Sequence, residues 1–136
     1  MTQKAYKRIS LCLAIVFGAV GLLFLFMSSD VLLLFNRISR AMGMEELVSG
    51  ENKFYVILAV AYMYLVTMLA ALMYIHPEQT VYPLLLVNGK AASATLSLLF
   101  FFLDKPLLIY LTNGIVDGLI GVFVIVMYRS IRRVSP

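Results

Sequence analysis

"LFFFLDKPLLIYL" (residues 99–111) decides the fold. An apolar run ends at Asp104, and a second begins directly after Pro106. Asp104 is the kind of residue that caps a helix N-terminus, and proline suits the first turn that follows. The spacing therefore predicts a helix ending near Leu103 and a new one starting near Leu107. So short a connection makes the two helices antiparallel neighbours.

Outward from this turn the apolar runs are long. Residues 82–103 are interrupted by one charge, Lys90, and residues 107–128 by one, Asp117. Residues 9–29 and 54–75 carry none. At about 1.5 Å per residue each run covers the roughly 30 Å of a bilayer's hydrocarbon. Only helices and closed barrels satisfy their backbone in lipid, and strict apolar–polar alternation is absent. The chain has 136 residues, 62% of them hydrophobic and 13% charged, with a mean hydropathy of +0.97. That is one domain, far more apolar than a soluble one. The reading is an all-α integral membrane bundle of four transmembrane helices running up-down-up-down over residues 1–136.

Smaller signals refine the layout. His76-Pro77 should end the second span, since a proline disfavours helix in the residue before it. Pro83 fits the first turn of the third. Lys4, Lys7 and Arg8 precede the first span, as in a signal peptide, but its apolar core over 11–27 exceeds the usual h-region and no A-x-A site follows. It is expected to be a retained helix. In the long connection, "DVLLLFNRISRAM" (30–42) offers Asp30 as an N-cap, then Leu34, Ile38, Ala41 and Met42 on one face. Arg37 and Arg40 lie away from that face's centre. The pattern predicts an extra amphipathic, interfacial helix at about 31–42, between helices one and two; the competing reading continues helix one to about residue 35. Four spans put both termini on one side. Lys4, Lys7, Arg8, Arg129, Arg132 and Arg133 lie there, against Arg37, Arg40, Lys53 and Lys105 opposite. The bias favours cytoplasmic termini in a cell inner membrane. Tyr6, Tyr55, Tyr74, Tyr82, Tyr110 and Tyr128 fall near predicted span ends, where amphipathic rings prefer to sit. Tyr62 and Tyr64 do not.

Chemistry is scarce. Neither CxxC, HExxH, GxSxG, a Walker loop nor GxGxxG occurs. A single histidine, His76, at a span end argues against a bound haem. Eight methionines show no ligand spacing. Asp30, Glu45, Glu46 and Glu51 are spread too widely to suggest more than a solvated loop. No metal, cofactor or catalytic residue is expected, and the basic residues form no stripe for a nucleic acid. The lone Cys12 can form no disulfide within the chain.

What remains is polar chemistry inside the spans. A charge there costs at least about 2.5 kcal/mol on insertion scales. Lys90 has Ser93, Ala94 and Ser97 on its face, and Asn88 close by. Asp117 shares a face with Asn113 and Gly121, beside the GxxxG of Gly114 and Gly118. Small residues let helices approach, so Gly114, Gly118, Gly121, Ser93 and Ser97 are expected to pack helices three and four. Depth counting from the 104–105 turn sets residue 90 level with about residue 120, about 4.5 Å from Asp117. The lean of helical side chains toward their own N-termini opposes the pair. Lys90 is left with three readings: a staple to Asp117, a snorkelling anchor, or the lining of a transport path.

The layout resembles the DoxX-like group of small bacterial four-helix membrane proteins. The shared points are an apolar first helix after a basic N-terminus, a polar connection before helix two, a Pro-marked loop, "NGKAAS" (88–93), and "DGLIGVFVIVMYR" (117–129) closing helix four. The resemblance implies architecture and carries no site residues.

Two classes of function follow. The first is a non-catalytic accessory or structural subunit of a larger membrane complex, or a homo-oligomer. The second is a small transporter or channel component using Lys90, Asp117, Asn88 and Asn113. A quinone- or lipid-binding subunit stands third.

Overall fold

The computed structural model describes residues 1–47 and 53–132. It is an all-α four-helix bundle: α1 Gln3–Ala41, α2 Lys53–Ile75, α3 Val81–Leu103 and α4 Leu108–Arg132. Each helix is long and apolar enough to cross a membrane, the build of a multi-pass membrane protein. The described residues contain no strand. Glu51 and Arg133 lie outside them.

The punctuation acts largely as its chemistry dictates. α2 stops at Ile75, before His76-Pro77, and Pro83 sits in the first turn of α3. The "LDKP" turn differs in detail. Asp104 closes α3 as its C-cap, its N–H donating to Phe100 O at 3.0 Å, rather than capping α4. α4 begins two residues beyond Pro106, with Tyr110 N and Leu111 N both bonding Leu107 O. Asp104 prolongs α3's ladder, so the turn is one of α3's end and not of α4's start.

The extra helix expected at about 31–42 is present as residues 28–41, joined to the first span across a kink at Met27 instead of standing apart from it. α1 runs through that segment, and its 39 residues reach about 58 Å, well beyond the hydrocarbon thickness. One residue breaks its geometry: Met27, at φ −127° and ψ 29°. Ser28 and Ser29 follow it, and serine pairs are a known site of helix bends. Asp30 therefore lies inside a helix and caps nothing. The expected amphipathic segment is the distal limb of α1, residues 28–41. Gly43, at φ +67°, ends it: Gly43 N bonds Arg40 O at 3.2 Å and Met44 N bonds Ser39 O at 2.9 Å. A left-handed glycine closing the last carbonyls is the common helix stop.

The chain then folds back along that limb. Asn36 grips the backbone of Leu47 from both sides, Nδ2 to Leu47 O and Leu47 N to Oδ1, each at 2.9 Å. Arg40 holds Glu46 with two bonds of 2.9 Å. That bidentate pair keeps the Glu46 carboxyl below its ordinary range.

α1 packs mainly on α2, and α3 mainly on α4, so the bundle is two hairpins laid together. Their common core is uneven. Tyr6, Val66, Met73, Leu86 and Val124 are fully buried, and all lie in the half nearer the termini. Toward the opposite end the described residues bury mostly small groups: Gly21, Ala94, Gly114 and Ser39, with Leu107 and Leu108 where α4 begins. The terminal half is the better packed of the two, although a groove lined by Met1, Pro77, Glu78, Tyr128 and Arg132 opens at the terminal end itself.

Candidate functional site

At the boundary between these halves stands the buried ion pair. Lys90 Nζ donates to Asp117 Oδ1 at 2.6 Å, and the two residues are 2% and 4% exposed. The glycines of α4 make this possible. Gly121 faces the Lys90 Cβ at 3.7 Å, Gly118 faces the Ala94 Cβ at 3.8 Å, and Gly114 lies beneath Leu98. Residue 90 is therefore level with about residue 121, and Asp117 lies about 6 Å back toward the start of α4. Side-chain lean opposes the pair, but so close an approach leaves the lysine stem free to cover depth. The ammonium does not snorkel to the terminal-side interface.

The ammonium also meets two rings of the other hairpin. Phe17 of α1 and Tyr62 of α2 each lie 5.0 Å from Nζ to ring centroid. Desolvated cation–π contacts of this kind contribute about 2 kcal/mol each. Neither ring was named by motif or spacing. The signal that existed was Tyr62 itself, a tyrosine away from any span end.

The neighbouring polar groups do not join the pair. Asn113 Nδ2 donates to Ser97 Oγ at 2.8 Å and to Ser93 Oγ at 3.1 Å, bridging α3 and α4. Asn88 is exposed, bonds Leu84 O on its own helix at 3.0 Å and takes no part in the cluster. Two buried oxygens are left over here, as is a third, Tyr6 Oη, in the terminal half. Asp117 Oδ2 has no hydrogen-bond partner, and Tyr62 Oη approaches Ser93 without a bond of sound geometry. Native proteins satisfy the great majority of such atoms, so each exception calls for a reason.

Around these groups lies a cavity of about 480 Å³ with walls from all four helices. Lys90, Asp117, Ser93, Ser97 and Asn113 line it on one side, and Phe17, Val20, Met63 and Ile120 give it apolar walls. A second cavity of about 580 Å³ adjoins it, sharing Phe24, Ala59, Ile109 and Tyr110. It reaches Leu47 and Tyr55 at the end away from the termini. Volumes of this order suit small-molecule sites.

The chain matches no protein-family model, no curated protein and no solved structure. Its site must be judged on geometry alone.

The other sequence candidates stay apart. Arg37 and Arg40 are exposed on the distal limb of α1, and Arg40 is held by Glu46. His76 lies 3.6 Å from Glu78, at the terminal end. Asp30 and Glu45 are exposed. Among the described residues no group of three His, Cys, Asp or Glu side chains is placed to hold a metal ion.

Proposed function

We propose that this chain is a small multi-pass membrane protein that binds a small molecule inside its helix bundle, as a transporter or a transporter component does. One observation carries the reading: a cavity of about 480 Å³ with a buried, incompletely bonded ion pair in its wall. A pair serving packing alone gains from having every oxygen satisfied. This one leaves an acceptor without a donor. The better-packed terminal half and looser opposite half support binding with access from one end at a time, which transport requires. The setting we infer is a cell inner membrane with cytoplasmic termini, on the basic-residue bias.

Packing against partner subunits draws less support. The glycine-rich face of α4, one of its motives, lies against α3 within the chain. The test is chemical. Wild type and Ser93→Leu, which fills the cavity, are purified after mild solubilisation, and extracts of both are compared by mass spectrometry. A compound near stoichiometric with wild type and depleted from the variant is the expected result. Indistinguishable extracts, with the chain running in a defined larger complex on native mass measurement, sink the reading in favour of a subunit role.

A further inference from the structure

The two ends of the bundle carry charge differently. Toward the termini the described residues hold five cations, Lys4, Lys7, Arg8, Arg129 and Arg132, against one carboxylate, Glu78, which lies 3.6 Å from His76. Among the described residues none of the five stands in an ion pair. Arg37, Arg40 and Lys105 share the opposite end with Asp30, Glu45, Glu46 and Asp104, and Arg40 is closed by Glu46. Like charges left unpaired repel one another, so the cations at the terminal end are stabilised by an anion from outside the chain.

Their placement says where that anion sits. Lys4, Arg8, Leu11 and Ile15 recur at i, i+4, i+7 and i+11, one stripe of α1, and all four are exposed. On α4, Leu119, Val122, Val126 and Arg129 form another, also exposed. Each stripe is apolar along its length and basic where it reaches the terminal end. On helices long and apolar enough to cross a membrane, that end is the headgroup level. Two of the cations lie over rings there, Lys7 Nζ 5.7 Å from the Tyr74 centroid and Arg132 Cζ 5.3 Å from that of Tyr128. A soluble anion would need cations converging on one pocket. Of the five, the described lining of the groove at the terminal end includes only Arg132, and it also carries Glu78. The charges are instead spread over α1 and α4 at the level of a leaflet's phosphates.

We propose that the terminal end binds the headgroups of acidic phospholipids, a phosphate diester with no ammonium to balance it, through Lys4 and Arg8 on α1 and Arg129 and Arg132 on α4. A guanidinium matches phosphate oxygens with paired N–H donors, and a lysine ammonium meets them as a point charge. Phosphatidylcholine offers the same phosphate but brings its own cation. This lipid contact needs only the spans and their charges, and is independent of any ligand in the inner cavity.

The test uses the whole chain reconstituted in phosphatidylcholine bilayers with a trace of spin-labelled lipid, and reads the motionally restricted fraction by electron paramagnetic resonance. Labelled phosphatidylglycerol is expected to associate about threefold more strongly than labelled phosphatidylcholine at low salt, and the two to converge in about 1 M salt. Lys4→Gln, Arg8→Gln, Arg129→Gln and Arg132→Gln together are expected to remove the preference. Arg37→Gln with Lys105→Gln, at the opposite end, is expected to keep it. Should the fourfold variant fail to insert, the salt series on wild type decides without it. Equal restriction of the two lipids in wild type overturns the lipid assignment. So does a preference that high salt or the fourfold variant leaves intact, or one lost in the double variant. Loss of the preference with millimolar inorganic phosphate at constant ionic strength overturns it too, and gives the cations to a soluble anion.

Discussion

Lys90 makes three contacts drawn from both hairpins: Asp117 on its own hairpin, Phe17 and Tyr62 on the other. Removing one partner of a buried pair strands the other. Lys90→Met or Asp117→Asn alone is expected to cost about 3–5 kcal/mol, and the double change to Lys90→Met with Asp117→Leu far less. Chemical unfolding in micelles measures all three; equal losses in singles and double would show that the pair is not coupled. The glycines of α4 divide just as sharply. A Cβ on Gly114 would meet Leu98 Cγ at 2.8 Å, whereas one on Gly118 finds its nearest neighbour, the Ala94 Cβ, at 3.8 Å. Gly114→Ala is expected to destabilise by about 1–3 kcal/mol and Gly118→Ala to be nearly neutral, by the same unfolding measurement. At this scale the sequence shows its polar residues and the small-residue face opposite them. It hides Phe17 and Tyr62, because an aromatic ring in an apolar span looks the same whether it meets lipid or an ammonium.

At the scale of elements, the loop after α1 is tied to the helix it leaves. Asn36 is the stronger tie, since it closes both polar groups of Leu47. Asn36→Ala is expected to speed amide exchange at Leu47 by about tenfold, read by hydrogen–deuterium exchange, while the centre of α1 is unaffected. The Arg40–Glu46 tie adds a pH dependence. Its carboxyl is held below the ordinary range, so its contribution is present above the unfolded carboxylate pKa and fades as pH falls through the folded one. Protection across 44–47, corrected for the intrinsic exchange rate, should fall as pH drops through the lowered Glu46 range and also with salt, since the pair is exposed. The helix ends at His76-Pro77 and the antiparallel turn after Leu103 were legible from proline chemistry. The fate of Asp30 was not. An aspartate preceding an amphipathic run looks like a cap, and only the helix already running through it shows otherwise.

At the scale of the molecule, the four spans follow from composition and length, so the fold class is nearly all in the sequence. The cavities are not, because they arise from how two hairpins meet, and no local pattern encodes a gap between them. Their access is testable. In a Cys12→Ser background, Ser97→Cys is expected to react with a membrane-impermeant thiol reagent added on the side of the 104–107 turn. Val124→Cys, in the better-packed half, is expected to stay unlabelled from either side. Labelling of both at similar rates would mean that the two halves do not differ in access.

The pairing of α1 with α2 and of α3 with α4 also bears on how the protein is made. Each hairpin holds most of its helix contacts within itself, so the two are expected to insert in turn as separate units. The seam between them is joined afterwards, with the Lys90 ammonium settling between the rings of Phe17 and Tyr62 as the late event. A gene divided between Glu78 and Gln79, in the short link at the terminal end, should yield two fragments that find each other in the bilayer and co-purify. Their reassembly should depend on Phe17 far more than on any residue facing outward, such as Phe26.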